Sequence, residues 1–222
     1  MNEYIFITHA LLLSCGIIIA TYLGQEALIA YATLQAILMN LFVMKQITLF
    51  GFEVTATDAF AIGLILTLNV LQEFYGKKNA LKAIWITFAC SIAYALFSQI
   101  HLLYIPSLFD INNGHFIALL TSVPRIVIAS LLTFLMVLHT DATLYAWLKK
   151  FFNGRFFILR SALSVFICQL LDTILFSFLG LYGLVPHIWH IIFLSFTIKL
   201  ISISISLPIV SFGKVIIQSI KS

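Results

Sequence analysis

Apolar stretches long enough to cross a membrane follow one another along the whole chain, with only short polar segments between them. Seven are recognisable, at residues 4–23, 27–44, 56–75, 84–105, 116–139, 161–184 and 190–210. A helix of about 20 apolar residues spans the hydrocarbon of a bilayer and satisfies its own backbone hydrogen bonds there. The sequence therefore predicts the all-α class, as a polytopic membrane helical bundle with six or seven transmembrane helices.

The scarcity of charge agrees with lipid as the surrounding solvent. Of 222 residues, 62% are hydrophobic and 9% are charged, whereas soluble domains carry about 25% charged residues. No linker or low-complexity segment divides the chain, so we predict a single domain over residues 1–222. The net charge of +4 comes from cations in short runs between apolar stretches, which does not predict a nucleic-acid partner. The cysteines and histidines lack metal-ligand spacing, so no metal or cofactor is predicted.

The placement of lysine and arginine predicts which helix ends face the cytoplasm. These residues follow the third stretch within 77–82, separate the fifth from the sixth within 149–160, and follow the seventh within 214–221. The positive-inside rule makes these three segments cytoplasmic, because the loops between them contain no lysine or arginine. Because the turn at 24–26 is very short, it stays open whether the first stretch crosses the membrane completely. The N-terminus would lie outside with seven crossings and inside with six.

Charged side chains inside the predicted helices mark the candidate site. A charged group at a helix centre costs about 2.5–3.5 kcal/mol unless it is paired or faces water. Four positions qualify, namely Glu73, Arg125, Asp172 and Lys199. Two acids and two bases can balance one another around a shared polar cavity. Each also has a plainer explanation as a structural ion pair, and for Glu73 that partner would be Lys77.

Helical spacing places further polar residues beside these charges. One face of the sixth stretch carries an amide, an acid, a hydroxyl and a ring, at Gln169, Asp172, Thr173 and Phe176. One face of the third stretch carries two amides and an acid, at Asn69, Gln72 and Glu73. Such faces suit a binding wall for a flat polar ligand.

Arg125 and Lys199 extend this candidate site to two more helices. Arg125 follows Pro124 at about 13 Å inside the fifth stretch, where the proline is expected to kink the helix and free a carbonyl. Lys199 precedes serines that alternate with isoleucine over 201–206. The alternation has the period of a strand, but a lone strand cannot satisfy its backbone in lipid, so we predict a helix.

At these same residues the sequence resembles a known family, the queuosine precursor transporters, which has also been called a vitamin uptake transporter family. The resemblance runs in order from about residue 24 to 210. It is carried by the runs 69–78 and 124–130 and then by single positions, at Arg160, Ser164, Gln169, Asp172, Thr173, Phe176 and Lys199.

The resemblance implies a function and a pocket. The function would be import of 7-deazaguanine bases, such as preQ0, preQ1 or queuine, for tRNA modification, through a compact multi-pass bundle in the bacterial inner membrane. The substrate-binding residues would be Glu73, Gln72, Asn69, Arg125, Gln169, Asp172 and Lys199. A carboxylate can accept adjacent N–H groups of a guanine-like edge, and a ring such as Phe176 or Tyr75 can stack on its face.

Departures from the family pattern leave the carried precursor and the driving ion open. Asn69 stands where the family has an acid, Ser206 stands where an acid is common, and Val137 and Leu138 replace a polar pair. A small molecule and the lipid membrane are the predicted partners, and the oligomeric state is open. The alternatives are a vitamin-binding subunit that relies on a separate ATPase, or a membrane enzyme using Asp172 and Glu73 as acid and base.

Overall fold

The structure, a computed structural model, describes residues 1–42, 45–49, 52–55, 57–121, 124–182 and 188–221. Their side chains are described except at 46, 52–55, 124–127, 181, 190–191, 194 and 212–221. In chain order the elements are α1 (Asn2–Leu23), α2 (Gln25–Phe42), β1 (Gln46–Leu49), β2 (Phe52–Thr55), α3 (Asp58–Tyr75), α4 (Lys77–Leu102), α5 (Asn113–Leu120), α6 (Pro124–Phe151), α7 (Phe157–Phe176), a π-helical turn (Ser177–Leu181) and α8 (Ile188–Lys221).

Four helices in this described part are long and apolar enough to cross a membrane. They are Asn2–Leu23, Lys77–Leu102, Ile128–Phe151 and Phe157–Gly180. A polytopic helical membrane bundle is therefore supported, whereas the total of six or seven crossings stays a prediction. The predicted stretch ends at Met44, Ala56 and Leu184 lie outside the described residues.

Helix α1 runs from one end of the bundle to the other. At its start, Nδ2 of Asn2 donates a 3.0 Å hydrogen bond to the carbonyl of Thr48 in β1. At its end, a side chain on Gly24 would come within 4.0 Å of the Tyr75 hydroxyl, where α3 ends. Gly24 and Gly76 have φ of 116° and 84°, and glycine adopts these values without steric cost, which allows the tight turns into α2 and α4. The 22 residues of α1 measure about 33 Å.

Helix α3 occupies the centre of the bundle. It packs against six helices, α1, α2, α4, α6, α7 and α8, and the continuous run 62–72 is buried around its whole circumference. It also carries buried polar residues, at Asp58, Thr67, Asn69 and Gln72. Neighbouring helices shield this polar helix from lipid, so the polar interior of the bundle is built around α3.

Two features differ from the sequence prediction. An antiparallel hairpin pairs β1 with β2, with Leu49 opposite Phe52. Strands of only four residues are too short for their alternation to be recognised in sequence. The helix predicted over 116–139 is instead α5, which ends at Leu120, and α6, which begins at Pro124. Proline suits the first position of a helix, where a backbone N–H has no helical partner, so Pro124 starts a helix rather than kinking one.

The alternating serines after Lys199 confirm the helical interpretation of this segment. Ser202 and Ser206 are buried within α8, and the hydroxyl of Ser204 donates a 2.9 Å hydrogen bond to the Leu200 carbonyl four residues earlier. Helix α8 packs against α1, α3 and α7. The small serine side chains permit close approach between these helices.

Candidate functional site

A lysine–carboxylate pair joins α7 to α8 inside the bundle. The Lys199 ammonium donates one hydrogen bond to Oδ2 of Asp172 and another, of 3.1 Å, to Oγ1 of Thr173. Lys199 is only 4% exposed, and burial is tolerated because the ammonium is both paired and hydrogen-bonded. The Asp172 side chain is 26% exposed, so one edge of the pair is open. The pairing of Asp172 with Lys199, one of the partners considered from sequence, is therefore present.

A second carboxylate, that of Asp58 in the first turn of α3, lies within electrostatic reach of this pair. Asp58 is 6% exposed, and the charges of Lys199 and Asp172 both act on it. The adjacent Phe60 packs in the same apolar cluster as Ile198. Oδ2 of Asp58 accepts no hydrogen bond in the part of the chain that the structure describes. We refer to Asp58, Asp172, Thr173 and Lys199 as the Lys199 cluster.

The polar face predicted for α7 points into the bundle. Gln169 and Thr173 are buried, and Phe176 is half-buried, whereas Ile167 and Leu170 are exposed on other sides of the helix. The wall of an amide, an acid, a hydroxyl and a ring therefore faces neighbouring helices rather than the outer surface. The π-helical turn follows Phe176 directly and ends this wall.

Three buried amides of α3 and α7 leave a polar atom without a hydrogen-bond partner in the described residues: Nδ2 of Asn69, Nε2 of Gln72 and Oε1 of Gln169. Helices α3 and α7 pack against each other, and Val70 and Cys168, each next to one of these amides, belong to one apolar cluster. A buried polar group without a partner costs about 1–3 kcal/mol. Amides kept at such a cost are available to a ligand or to water.

A separate ion-pair network surrounds Glu73 at the far end of α3. Arg160 donates to both carboxylate oxygens, at 3.1 and 3.3 Å, and the Tyr145 hydroxyl donates to Oε2 at 3.1 Å. The Lys149 ammonium lies 3.2 Å from Oε2 and donates to the Glu73 carbonyl. Arg160 is fully buried. We refer to these four residues as the Arg160 cluster.

The two clusters lie at opposite ends of α3. Fifteen residues of helix separate Asp58 from Glu73, which corresponds to about 22 Å. Lys77 contacts Thr143 at 3.5 Å, and Lys149 contacts Glu73, so the first two predicted cytoplasmic cation segments meet at one end of the bundle. The predicted role of Glu73 in binding a substrate stays a prediction, since its oxygens already accept bonds from three side chains.

The structure gives the predicted Arg125 a different setting. Arg125 is the second residue of α6, and not a residue deep in a continuous fifth helix, because α6 begins at Pro124. Its side chain lies outside the part of the chain that the structure describes. Its predicted contact with a substrate therefore stays a prediction from sequence.

Sequence reasoning missed several buried polar residues of these networks. Asp58 is the third residue of an apolar stretch, and Arg160 is one of the cations between the fifth and sixth stretches as well as a position of the family resemblance. Asp141, only 1% exposed, accepts a hydrogen bond from Ser164 of α7. Spacing offered one usable signal, because Asp141 and Tyr145 lie one helical turn apart and so share a face of α6.

Comparison with known proteins places the chain in a family. Residues 55–213 match the family described as "Putative vitamin uptake transporter". The chain belongs to this family. A protein of Bacillus subtilis (strain 168) named "Probable queuosine precursor transporter" is 29% identical over 188 residues, which cover 83% of this chain and 82% of that protein. None of the solved structures matches this chain.

Membership of the vitamin uptake transporter family confirms the resemblance drawn from the sequence. The matched region begins just before α3 and ends within α8, so both charge clusters lie inside it. Transport through a helical membrane bundle is the activity that this family membership supports.

Proposed function

We propose that this chain imports a queuosine precursor, a 7-deazaguanine base such as preQ0, preQ1 or queuine, across a bacterial inner membrane for tRNA modification. The name of the Bacillus subtilis relative supports the substrate class. The observation that carries the proposal is the partly exposed Asp172–Lys199 pair beside the unpartnered oxygen of Gln169.

The chemistry of this site suits a flat base with adjacent donors and acceptors. Lys199 pairs with Oδ2 of Asp172, and the Asp172 side chain is 26% exposed, so the carboxylate is partly open toward a ligand. A guanine-like edge presents neighbouring N–H groups that such a carboxylate accepts. The amide of Gln169, three residues before Asp172 and on the same face of α7, can complement the remaining carbonyl and ring nitrogens. Discrimination is strong in such a site, because a ligand without these groups leaves buried partners unpaired.

Within the proposal, the predicted residues differ in role, because some bind the base and one joins helices. Gln169, Asp172 and Lys199 form the binding set, and Asn69 and Gln72, which precede Glu73 in α3, would meet the base further along its path. Arg125 belongs to the proposal through the family resemblance. Glu73, predicted from sequence to bind substrate, also holds α3 to α6 and α7 at the other end of α3, through its contacts with Arg160, Tyr145 and Lys149.

We further propose seven crossings, by α1, α2, α3, α4, α6, α7 and α8, with the N-terminus outside. Support comes from α1, which reaches from the hairpin end to the Gly24 end of the bundle. The positive-inside rule then places Gly24, Gly76 and the Arg160 cluster at the cytoplasmic end. The Lys199 cluster lies toward the outer end, where a base entering the cell would first meet it.

Rescue of tRNA modification tests this proposal. A precursor-dependent bacterium that lacks its own importer would receive this gene, and the queuosine content of its tRNA would be measured with each precursor supplied. We expect restored queuosine with the unaltered chain and at least a tenfold loss with Asp172→Ala. The matched control is Asp110→Ala, since Asp110 is an exposed acid. Normal queuosine with Asp172→Ala, at equal amounts in the membrane, would remove Asp172 from the binding site.

A further inference from the structure

The Lys199 cluster holds one more acid than it has bases. The cluster has one ammonium, that of Lys199, and the structure pairs it with Asp172 and Thr173 rather than with the second carboxylate, that of Asp58. Asp58 is only 6% exposed, and its Oδ2 has no hydrogen-bond partner in the described residues. An ionised carboxylate in this position would be a buried charge without compensation, which costs far more than a neutral polar group.

We propose that Asp58 is the site of a proton that is carried together with the base, so that the protein works as a proton symporter. This inference rests on the proposed function and adds its driving force. The proton binds at the Asp58 carboxylate from the outer side, crosses with the base, and is released to the cytoplasm. One proton makes the cluster neutral, with one ammonium, one carboxylate and one carboxylic acid.

The ligand is a proton rather than a metal cation because of what surrounds Asp58. A sodium or larger ion needs several oxygen ligands, and the neighbouring ammonium of Lys199 repels it. A proton needs one carboxylate oxygen and no ligand shell. Among the described residues, the next two of α3, Ala59 and Phe60, pack in an apolar cluster with Leu13 of α1 and Leu49 of β1.

The titratable groups near Asp58 come from several packed elements. On α7 and α8 they are Asp172 and Lys199, whose charges act on Asp58. On α1, the ring of His9 lies 4.5 Å from that of Phe60, and on α2, Tyr31 packs against the same apolar cluster. The side chain of Glu53 in β2 lies outside the part of the chain that the structure describes. Of these groups, Lys199 is the one that contacts Asp172, the carboxylate proposed to bind the base.

Competition for Lys199 couples the proton to the base. With a proton on Asp58, the Lys199 ammonium donates its hydrogen bonds to Asp172 and Thr173, as it does in the structure. These bonds hold Asp172 in place for the base. Loss of that proton gives Asp58 a negative charge that draws Lys199 away from Asp172. Proton and base therefore favour the same state of the protein, and by linkage each increases the affinity for the other.

Reconstituted protein separates this inference from the proposed function. The full chain in liposomes would be tested first for exchange of labelled base against unlabelled base, with preQ0, preQ1 and queuine, and then for accumulation when the outside is one pH unit more acidic. Absence of exchange with every base would refute the proposed function. Exchange without acid-driven accumulation would refute proton coupling alone. One proton per base supports up to about tenfold accumulation over one pH unit.

A substitution at Asp58 gives the second readout. Asp58→Asn keeps the shape of a protonated carboxyl but cannot release a proton, so we expect exchange within about threefold of the unaltered chain and loss of acid-driven accumulation. Asp110→Asn, the same change at an exposed acid, should keep both. A pH-sensitive dye inside the liposomes should report proton entry with base only when Asp58 is present. Accumulation by Asp58→Asn, or accumulation driven by a sodium gradient at equal pH, would overturn the assignment.

Discussion

Replacing Arg160 with methionine should lower the free energy of unfolding by about 3–5 kcal/mol, because it leaves Glu73 as a buried acid without its main partner. Arg160 is fully buried and donates two hydrogen bonds to Glu73 and two more to the carbonyls of Arg155 and Gly154. Lys149 cannot replace it, since that side chain is 37% exposed and its ion pair is weakened by solvent. For a chain of this size the loss corresponds to a fall in melting temperature of about 6–20 °C.

The buried thiol of Cys168 offers a direct assay for this change. Cys168 is buried, while Cys15 is exposed and Cys90 is partly exposed. After Cys15→Ala and Cys90→Ala, a thiol-reactive dye would report unfolding in detergent through Cys168 alone. The matched control is Arg155→Met, because the Arg155 side chain is exposed and only its carbonyl takes part in the network. Its expected effect is within about 0.5 kcal/mol.

A double substitution decides whether the pair itself is responsible. Glu73→Met together with Arg160→Met removes both charges, and apolar replacement of a buried pair is often close to neutral. We expect the double variant to be more stable than Arg160→Met alone by about 1–3 kcal/mol. Equal melting temperatures for Arg160→Met and Arg155→Met would refute this reasoning. So would a double variant that is less stable than both Glu73→Met and Arg160→Met.

Three further changes separate the roles of individual residues. Gln169→Leu should raise unfolding free energy by about 1–2 kcal/mol in the dye assay, because a buried oxygen without a partner disappears, while base uptake falls. Gly76→Ala should cost about 1–2 kcal/mol in that assay because φ is 84° there, whereas Gly114→Ala should cost little. In intact cells of a variant without its native cysteines, an impermeant maleimide should label Ser107→Cys and not Lys78→Cys, as the proposed orientation requires.

Each of these expectations has a result that contradicts it. Unchanged uptake with Gln169→Leu would remove that amide from the binding set. Equal stability of the two glycine variants would mean that the turn after α3 tolerates a side chain. Labelling of Lys78→Cys from outside would reverse the proposed orientation.

The positions of the helices could be predicted from sequence because a membrane-spanning helix needs about 20 apolar residues in a row. Such a run is visible in the local sequence. The third apolar stretch is predicted to end at Tyr75, before Gly76 and Lys77, and α3 ends at that residue. The break between α5 and α6 was harder, because the same Pro124 can kink a helix or begin one. Only the packing of the surrounding chain decides between these outcomes.

The candidate site was only partly predictable because partner choice depends on which helices are neighbours. Asp172 and Lys199 were recognised since both lie far inside apolar stretches. Asp58 and Arg160 lie near stretch ends, where charge is ordinary and gives no signal of burial. Their burial arises from the enclosure of α3 by other helices, which a single sequence does not show.

The central place of α3 has a consequence for how the protein is made. Four of its six neighbours, α4, α6, α7 and α8, are synthesised after it, and so are Arg160, Asp172 and Lys199. A nascent chain that has just released α3 therefore presents two acids to the bilayer before their counter-charges exist. Insertion of α3 therefore precedes the synthesis of four of the helices that enclose it in the finished bundle.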